Sequence, residues 1–361
     1  MIYFPNQSTF LYNEITKSNV RSGIIIRYPE LNKRIAGITA PSSGVNKELH
    51  PMMHQAIERM TKRGFKTTVG DTVWTQEKAK SADKKTRANE LNKMLQDDSI
   101  DLIFPPWGGE LLIETLEHIE FDKITPKWIL GYSDISALLL AVTLKTGMAT
   151  AHGTNIIDIR GPKSDATTAR WLDVLNTKAN ESVKQQSSEL YQLEWKFDDP
   201  PEEIFNLTEP TKWKSVTGEP VEMNGRLLGG CTDVIHHLVG TPYGDVNGFI
   251  NKQNIKENII WYFENCEDSP TDLKRTLTQM KYAGWFDQCS GIMFGRTAVT
   301  DDVEGYTFLD VYREIQKDLG VPIIYDVDCG HVPPQMTFVN GAMAHITYEN
   351  NSGTMTQNFL P

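Results

Sequence analysis

Residues 128–142, Trp-Ile-Leu-Gly-Tyr-Ser-Asp-Ile-Ser-Ala-Leu-Leu-Leu-Ala-Val, constrain the fold more than any other stretch of the chain. Trp128, Ile129 and Leu130 read as the end of a short buried strand. Gly131 permits a sharp turn because it has no Cβ to clash. From Ile135 onward the apolar residues crowd together as in a buried helix. Ser133 then stands on a strand–turn–helix corner, lifted out of the sheet at the helix N-terminus. That is the setting of a nucleophile elbow, although Ile135 occupies the place of the second glycine in G-x-S-x-G. Ser and Asp are also common helix caps, so taken alone this tetrapeptide is more often an N-cap.

The stretches before this corner repeat its logic. Arg34-Ile-Ala-Gly-Ile-Thr-Ala, the segment 65–69 and Asp101-Leu-Ile-Phe-Pro read as strands, with helices expected over 48–63, 86–96 and 111–119. Alternating strand and helix predicts an α/β fold with a flavodoxin- or Rossmann-like parallel sheet. Ligands of such sheets sit at the carboxyl ends of the strands. Ala40-Pro-Ser-Ser-Gly, Trp107-Gly-Gly and Gly131-Tyr-Ser-Asp all fall there. Four segments follow from this pattern: an N-terminal extension (1–33), an α/β domain carrying the elbow (34–175), an interdomain connection (176–220) and a C-terminal domain (221–361). The connection is rich in Ser, Gln, Glu, Pro and Lys and is expected to be a long loop. In the last segment, Asn340-Gly341 predicts a hairpin pairing residues 336–339 with 342–348.

Composition narrows the function. A net charge of −11 excludes an extended nucleic-acid surface but not a local pocket for a small anion. The four cysteines, Cys231, Cys266, Cys289 and Cys329, lie far apart without C-x-x-C pairing, and the eight histidines form no zinc-ligand motif. No metal or organic cofactor is expected. No apolar run approaches the roughly 20 residues of a membrane span. Met1-Ile-Tyr-Phe-Pro-Asn-Gln-Ser lacks the pattern of a secretory signal, so cytoplasm is the expected compartment.

Three polar residues stand at strand ends: Ser133, Glu264 after Ile259-Ile-Trp-Tyr-Phe, and His331 after Val321-Pro-Ile-Ile-Tyr-Asp-Val-Asp. Together they can form a hydrolytic triad, with His331 as base and Glu264 fixing its tautomer. Peptide N–H groups at Asp134 and in Gly108-Gly109 could face the developing oxyanion. A glutamate at a strand end is ordinarily a solvated carboxylate, and Gly-His before Pro-Pro ordinarily turn chemistry. The residues alone therefore leave both readings open.

The segments Gly131-Tyr-Ser-Asp-Ile-Ser-Ala, Gly225-Arg-Leu-Leu-Gly-Gly-Cys, Phe263-Glu-Asn-Cys-Glu, Gly284-Trp-Phe-Asp-Gln-Cys-Ser-Gly-Ile-Met-Phe-Gly-Arg and Asp326-Val-Asp-Cys-Gly-His resemble the LD-carboxypeptidase family of serine peptidases. The resemblance runs in order from about residue 34 to about residue 348. It implies Ser133 as nucleophile, Glu264 as acid, His331 as base, and oxyanion donors at Asp134 and the Gly108-Gly109 turn. It also implies a smaller β-rich C-terminal domain, a site between the domains, and a homodimer. Two branches compete: murein tetrapeptide carboxypeptidases, and the microcin C self-immunity branch, which cleaves an acidic aminoacyl group from a modified nucleotide. Trp107 stands where the murein branch typically carries arginine, and Asp-x-Asp-Cys-x-His resembles the second branch. Trp213 is then the candidate to stack on a base, its alternative being ordinary packing. Arg226 or Arg296 could hold a substrate carboxylate, or serve as an interdomain ion-pair partner. A two-lobed small-molecule binding protein is the reading from another class; it leaves the three polar residues without a use.

Overall fold

The computed structural model describes residues 26–196 and 200–361, so most of the expected N-terminal extension lies outside the described residues. From Ile26 the chain runs beside the turn after the elbow helix, with Arg27 bonding Gly147 and Ala149. The first half follows the alternation read from sequence. Strands β1 (Ile35–Ile38), β2 (Lys66–Val69), β3 (Leu102–Ile103), β4 (Trp128–Gly131) and β5 (Thr150–His152) form a parallel array. Helices α1 (His50–Lys62), α2 (Lys84–Gln96) and α3 (Ile135–Thr146) fall among them. The expected helix at 111–119 is a tighter 3-10 turn, Leu112–His118. Every residue of α3 from Ile135 to Leu144 is buried, which is why its sequence shows no polar face. Gly147 ends it at φ +71°.

The second half adds α4 (Trp171–Asn176) and then strands β6 (Ser182–Gln186), β7 (Leu190–Gln192), β8 (Leu207–Pro210), β9 (Lys214–Ser215), β10 (Val221–Cys231), β11 (Ile259–Glu264), β12 (Cys289–Gly295), β13 (Ile323–Val327), β14 (Phe338–Asn340), β15 (Met343–Glu349) and β16 (Ser352–Asn358). Helices α5 (Thr232–Ile235), α6 (Val246–Gln253), α7 (Pro270–Tyr282) and α8 (Phe308–Leu319) are interspersed. An eight-stranded sheet runs β6-β16-β15-β10-β11-β12-β13-β9, parallel from β10 to β13. The stretch 176–220 is therefore not an irregular connection. β6 and β9 are edge strands of the second sheet, and β7 pairs with β8.

The expected hairpin at Asn340-Gly341 is also corrected. The turn exists, but its two arms enter different sheets. β14 pairs antiparallel with β5 in the first sheet, while β15 lies between β10 and β16 in the second. Asn340 explains the split. Its backbone pairs with Thr150, and its side-chain oxygen accepts the Gly229 N–H (3.0 Å) and the Tyr262 hydroxyl (2.9 Å). One apolar core runs across both halves, from Leu138 and Leu139 to Leu228, Trp261 and Phe263.

Candidate active site

β4 delivers the chain to Ser133 and α3 carries it away. Ser133 has φ +62°, a left-handed conformation that an L-residue other than glycine, Asn or Asp seldom holds. Gly108 makes room for it. A Cβ at Gly108 would lie 2.6 Å from both Cβ and Oγ of Ser133 and 2.8 Å from the Asp134 nitrogen. That nitrogen opens α3, where N–H groups lack intrahelical acceptors. The Asp134 carboxylate is buried and turned to structural work, accepting the Leu112 N–H (2.8 Å) and the Ser42 hydroxyl. Burial pushes its carboxyl up to about 6, against those two hydrogen bonds. Gly109, at φ +141°, fits where a Cβ would strike Ser42 and Ser43. The elbow is thus braced by the tip of β1, a support that no local pattern announces.

Glu264 ends β11 and His331 follows β13, so both reach the site from the second sheet. His331 Nδ1 lies 2.8 Å from Glu264 Oε2 and its Nε2 lies 3.1 Å from Ser133 Oγ. A carboxylate only accepts, so Nδ1 carries a proton and the neutral ring presents Nε2 to the serine hydroxyl. Burial opposes charge on His331, yet the Glu264 carboxylate and nearby Cys266 together outweigh it and hold the imidazole pKa well above its ordinary value. Glu264 is 1% exposed; burial raises its pKa, and His331 more than reverses this. Tyr132 lays its ring edge-on to the imidazole at 5.1 Å. Tyr132, Ser42 and Cys266 were not singled out from the sequence.

Among the described residues, Cys231, Glu264 and His331 offer the one set of donors close enough to gather around a metal, within 4.8 Å of one another. The direct 2.8 Å contact between nitrogen and carboxylate sits poorly with that. Two ligands each about 2 Å from a tetrahedral ion stand more than 3 Å apart.

Two cavities flank the Ser133–His331 hydrogen bond. One, of about 480 Å³, is lined by Ser133, Gly109 and residues of the turns after β10 and β11. The other, of about 470 Å³, is lined by His331, Tyr191, Trp195, Lys212, Lys214 and Arg296.

The remaining candidates fall elsewhere. Trp213 is fully buried, its Nε1–H donates to Asp328 (2.9 Å), and Gly353 is packed against its ring. It has no open face to stack on a base. Arg226 is buried near the start of the β10–β11 pairing, bonded to the Gly341 carbonyl (2.6 Å) and Glu257 (3.0 Å). Five residue steps take the strand from it to the Cys231 tip, roughly 16 Å. It holds the sheet, not a substrate. Trp107 is half-buried and donates to the Gly44 carbonyl (3.0 Å), propping the Gly108-Gly109 turn instead of lining either cavity. Arg296 does line the second cavity, but its fork is committed to Asp328 (2.6 Å) and its guanidinium lies 4.9 Å from the Tyr191 ring centre.

Comparison with known proteins defines the class, a serine carboxypeptidase or amidase. Residues 36–153 match the LD-carboxypeptidase N-terminal domain and residues 224–346 the LD-carboxypeptidase C-terminal domain. The chain belongs to the LD-carboxypeptidase family. It is 25% identical over 315 residues to the microcin C7 self-immunity protein MccF of Escherichia coli, covering 85% of this chain and 88% of that protein. It is 24% identical over 314 residues to a probable murein peptide carboxypeptidase of Bacillus subtilis, covering 85% and 87%. A solved structure of MccF with aspartyl sulfamoyl adenosine superposes with a TM-score of 0.78 at 22% identity, covering 93% of this chain and 100% of that one. No helix among the described residues is long and apolar enough to cross a membrane.

Proposed function

We propose that Ser133, His331 and Glu264 act as a catalytic triad that hydrolyses an amide of a small substrate, in the manner of the microcin C self-immunity proteins. The observation that carries this is the unbroken chain Ser133 Oγ–His331–Glu264, at 3.1 and 2.8 Å, on a serine held at φ +62°. His331 takes the serine proton as Oγ attacks the carbonyl carbon, then gives it to the departing amine; Glu264 stabilises the imidazolium between the two steps. N–H groups at Asp134 and in the Gly108-Gly109 turn are the candidate donors to the oxyanion. Water releases the acyl group by the same steps in reverse. A leaving group that departs on the imidazole side enters the cavity of Tyr191, Trp195, Lys212, Lys214 and Arg296. Aromatic faces beside Lys212 suit a nucleotide, while Lys214 is paired with Asp326 (2.8 Å) and Arg296 with Asp328 (2.6 Å).

Lys212 in the same cavity would also receive the carboxylate of a terminal amino acid, which supports murein tetrapeptide cleavage as the second reading. Mass spectrometry of aminoacyl-nucleotide amides and a murein tetrapeptide, incubated with the protein and with Ser133→Ala, tests both. Ser133→Ala is expected to fold and to lose roughly 10³-fold or more in turnover. Undiminished turnover by the folded variant would remove Ser133 from the mechanism. The proposal includes a homodimer in the cytoplasm, the dimer being measurable by light scattering.

A further inference from the structure

We infer that Gln335 is a positioning residue for the general base, holding His331 against Glu264 through the main chain of Gly330. The inference rests on His331 as the base of the proposed triad. His331 lies in the short loop between β13 and β14, on neither strand. The neck of that loop is closed by one main-chain bond, from the Met336 N–H to the Asp328 carbonyl (2.9 Å). Main-chain pairing cannot continue inward, because Pro333 and Pro334 have no N–H to give. The Gln335 side chain takes over. Its Oε1 accepts the Gly330 N–H (3.1 Å) and its Nε2 donates to the Gly330 carbonyl. One amide thus answers both polar groups of a buried residue, as a neighbouring strand would.

Gly330 is where this grip matters. It sits at φ +94°, packed so tightly on the acid that a Cβ there would lie 2.5 Å from both Cβ and Oε2 of Glu264. Oε2 is the oxygen that meets His331 Nδ1. The residue before the base therefore rests on the oxygen that orients the base, and Gln335 keeps it there. Gln335 is itself anchored. It is 1% exposed, and its own N–H donates to the Thr168 hydroxyl (3.1 Å), in the turn before α4. It is not among the lining residues of either cavity, so it has no substrate contact to lose. Its amide is also uncharged. The titratable groups about the imidazole are Glu264, Cys266, Asp158 and His152, and a substitution at 335 leaves all four in the chain.

The test is Gln335→Met, a side chain of similar length that cannot bond Gly330. Because no charge changes, this variant shifts the His331 pKa only by moving the ring within its surroundings. Nitrogen-15 NMR of histidine-labelled protein reads that pKa without a substrate. It is expected to fall from its raised position toward the ordinary value as the Glu264 contact loosens. On whichever amide the wild type hydrolyses, kcat should fall roughly ten- to a hundredfold with KM unchanged. A packing role alone would lower Tm and leave the His331 pKa and the kcat of the folded protein in place; that result overturns the inference. Thr168→Val, which frees the Gln335 main chain from a distance, should move both quantities the same way by less. Should Gln335→Met not fold, an unmoved His331 pKa in Thr168→Val is the contrary result. Failure of the underlying reading looks different: His331→Ala would then keep its turnover, while the imidazole in Gln335→Met still lost its raised pKa.

Discussion

His331 stands between opposed influences, and their balance sets the pH at which the protein should work. Burial favours the neutral ring, but the Glu264 carboxylate together with Cys266 favours the imidazolium and prevails, so the pKa lies well above the ordinary 6.5. A general base must be neutral. Raising its pKa therefore moves the acid limb of kcat/KM to higher pH, with activity suppressed below the raised pKa and gained as pH passes through it. Glu264→Gln removes the charge; the limb should shift to lower pH while the plateau falls by roughly 10⁴-fold. Profiles of both proteins check this, and a limb that stays in place would take His331 out of the role of base. The two tryptophans separate by location. Trp213→Ala should cost about 3–5 kcal/mol of stability, seen as a lowered Tm, with KM unchanged in the folded fraction. Trp195→Ala should leave Tm nearly unchanged and raise KM for a nucleotide amide roughly ten- to a hundredfold, the loss of one base stack. The reverse pattern would return Trp213 to substrate contact.

At the scale of elements, the two sheets meet where β10 crosses α3. Gly230, at φ +153°, lies so close that a Cβ there would be 2.8 Å from the Ser136 Cβ, and the next residue, Cys231, donates its N–H to Ser136 Oγ at 3.1 Å. Gly230→Ala should therefore destabilise the protein by about 1–3 kcal/mol in urea unfolding, through overpacking. An unchanged midpoint would mean that α3 has room to shift. This docking is hidden in sequence, where Leu-Leu-Gly-Gly-Cys is a strand ending in glycines. What was legible were the buried strands and α3, because apolar runs bounded by turns record burial directly. Ser133, Glu264 and His331 were legible for the same reason: each stands where such a run stops. β6 was not. Its inward residues are Val183 and Gln185, and the Gln185 amide both donates to the Thr337 carbonyl and accepts the Thr337 N–H. A strand buried through an amide writes no hydrophobic pattern. For Trp213 and Arg226 sequence left packing and ion pairing open beside substrate contact, and for Trp107 the choice was equally hidden, because their partners, Asp328, Glu257 and the Gly44 carbonyl, are brought to them only by the fold.

At the scale of the molecule, the candidate site is divided between the sheets, with Ser133 on the first and Glu264 and His331 on the second. After His331 the chain crosses to the first sheet as β14 and returns to the second as β15, with Asn340 bonded into both. Separating the halves would tear out a strand and open the shared core. Unfolding should accordingly be a single calorimetric transition whose van't Hoff and calorimetric enthalpies agree; two resolved transitions would show that the halves part independently. The crossing at β14 bears on traffic as well as on cohesion. A molecule sewn together at that point has no jaw to open, so entry and exit belong to its two standing mouths. With Ser133 as nucleophile the two fragments leave through separate doors in a fixed order, the amine first by the mouth that His331 lines and the acyl group by the other once water has released it.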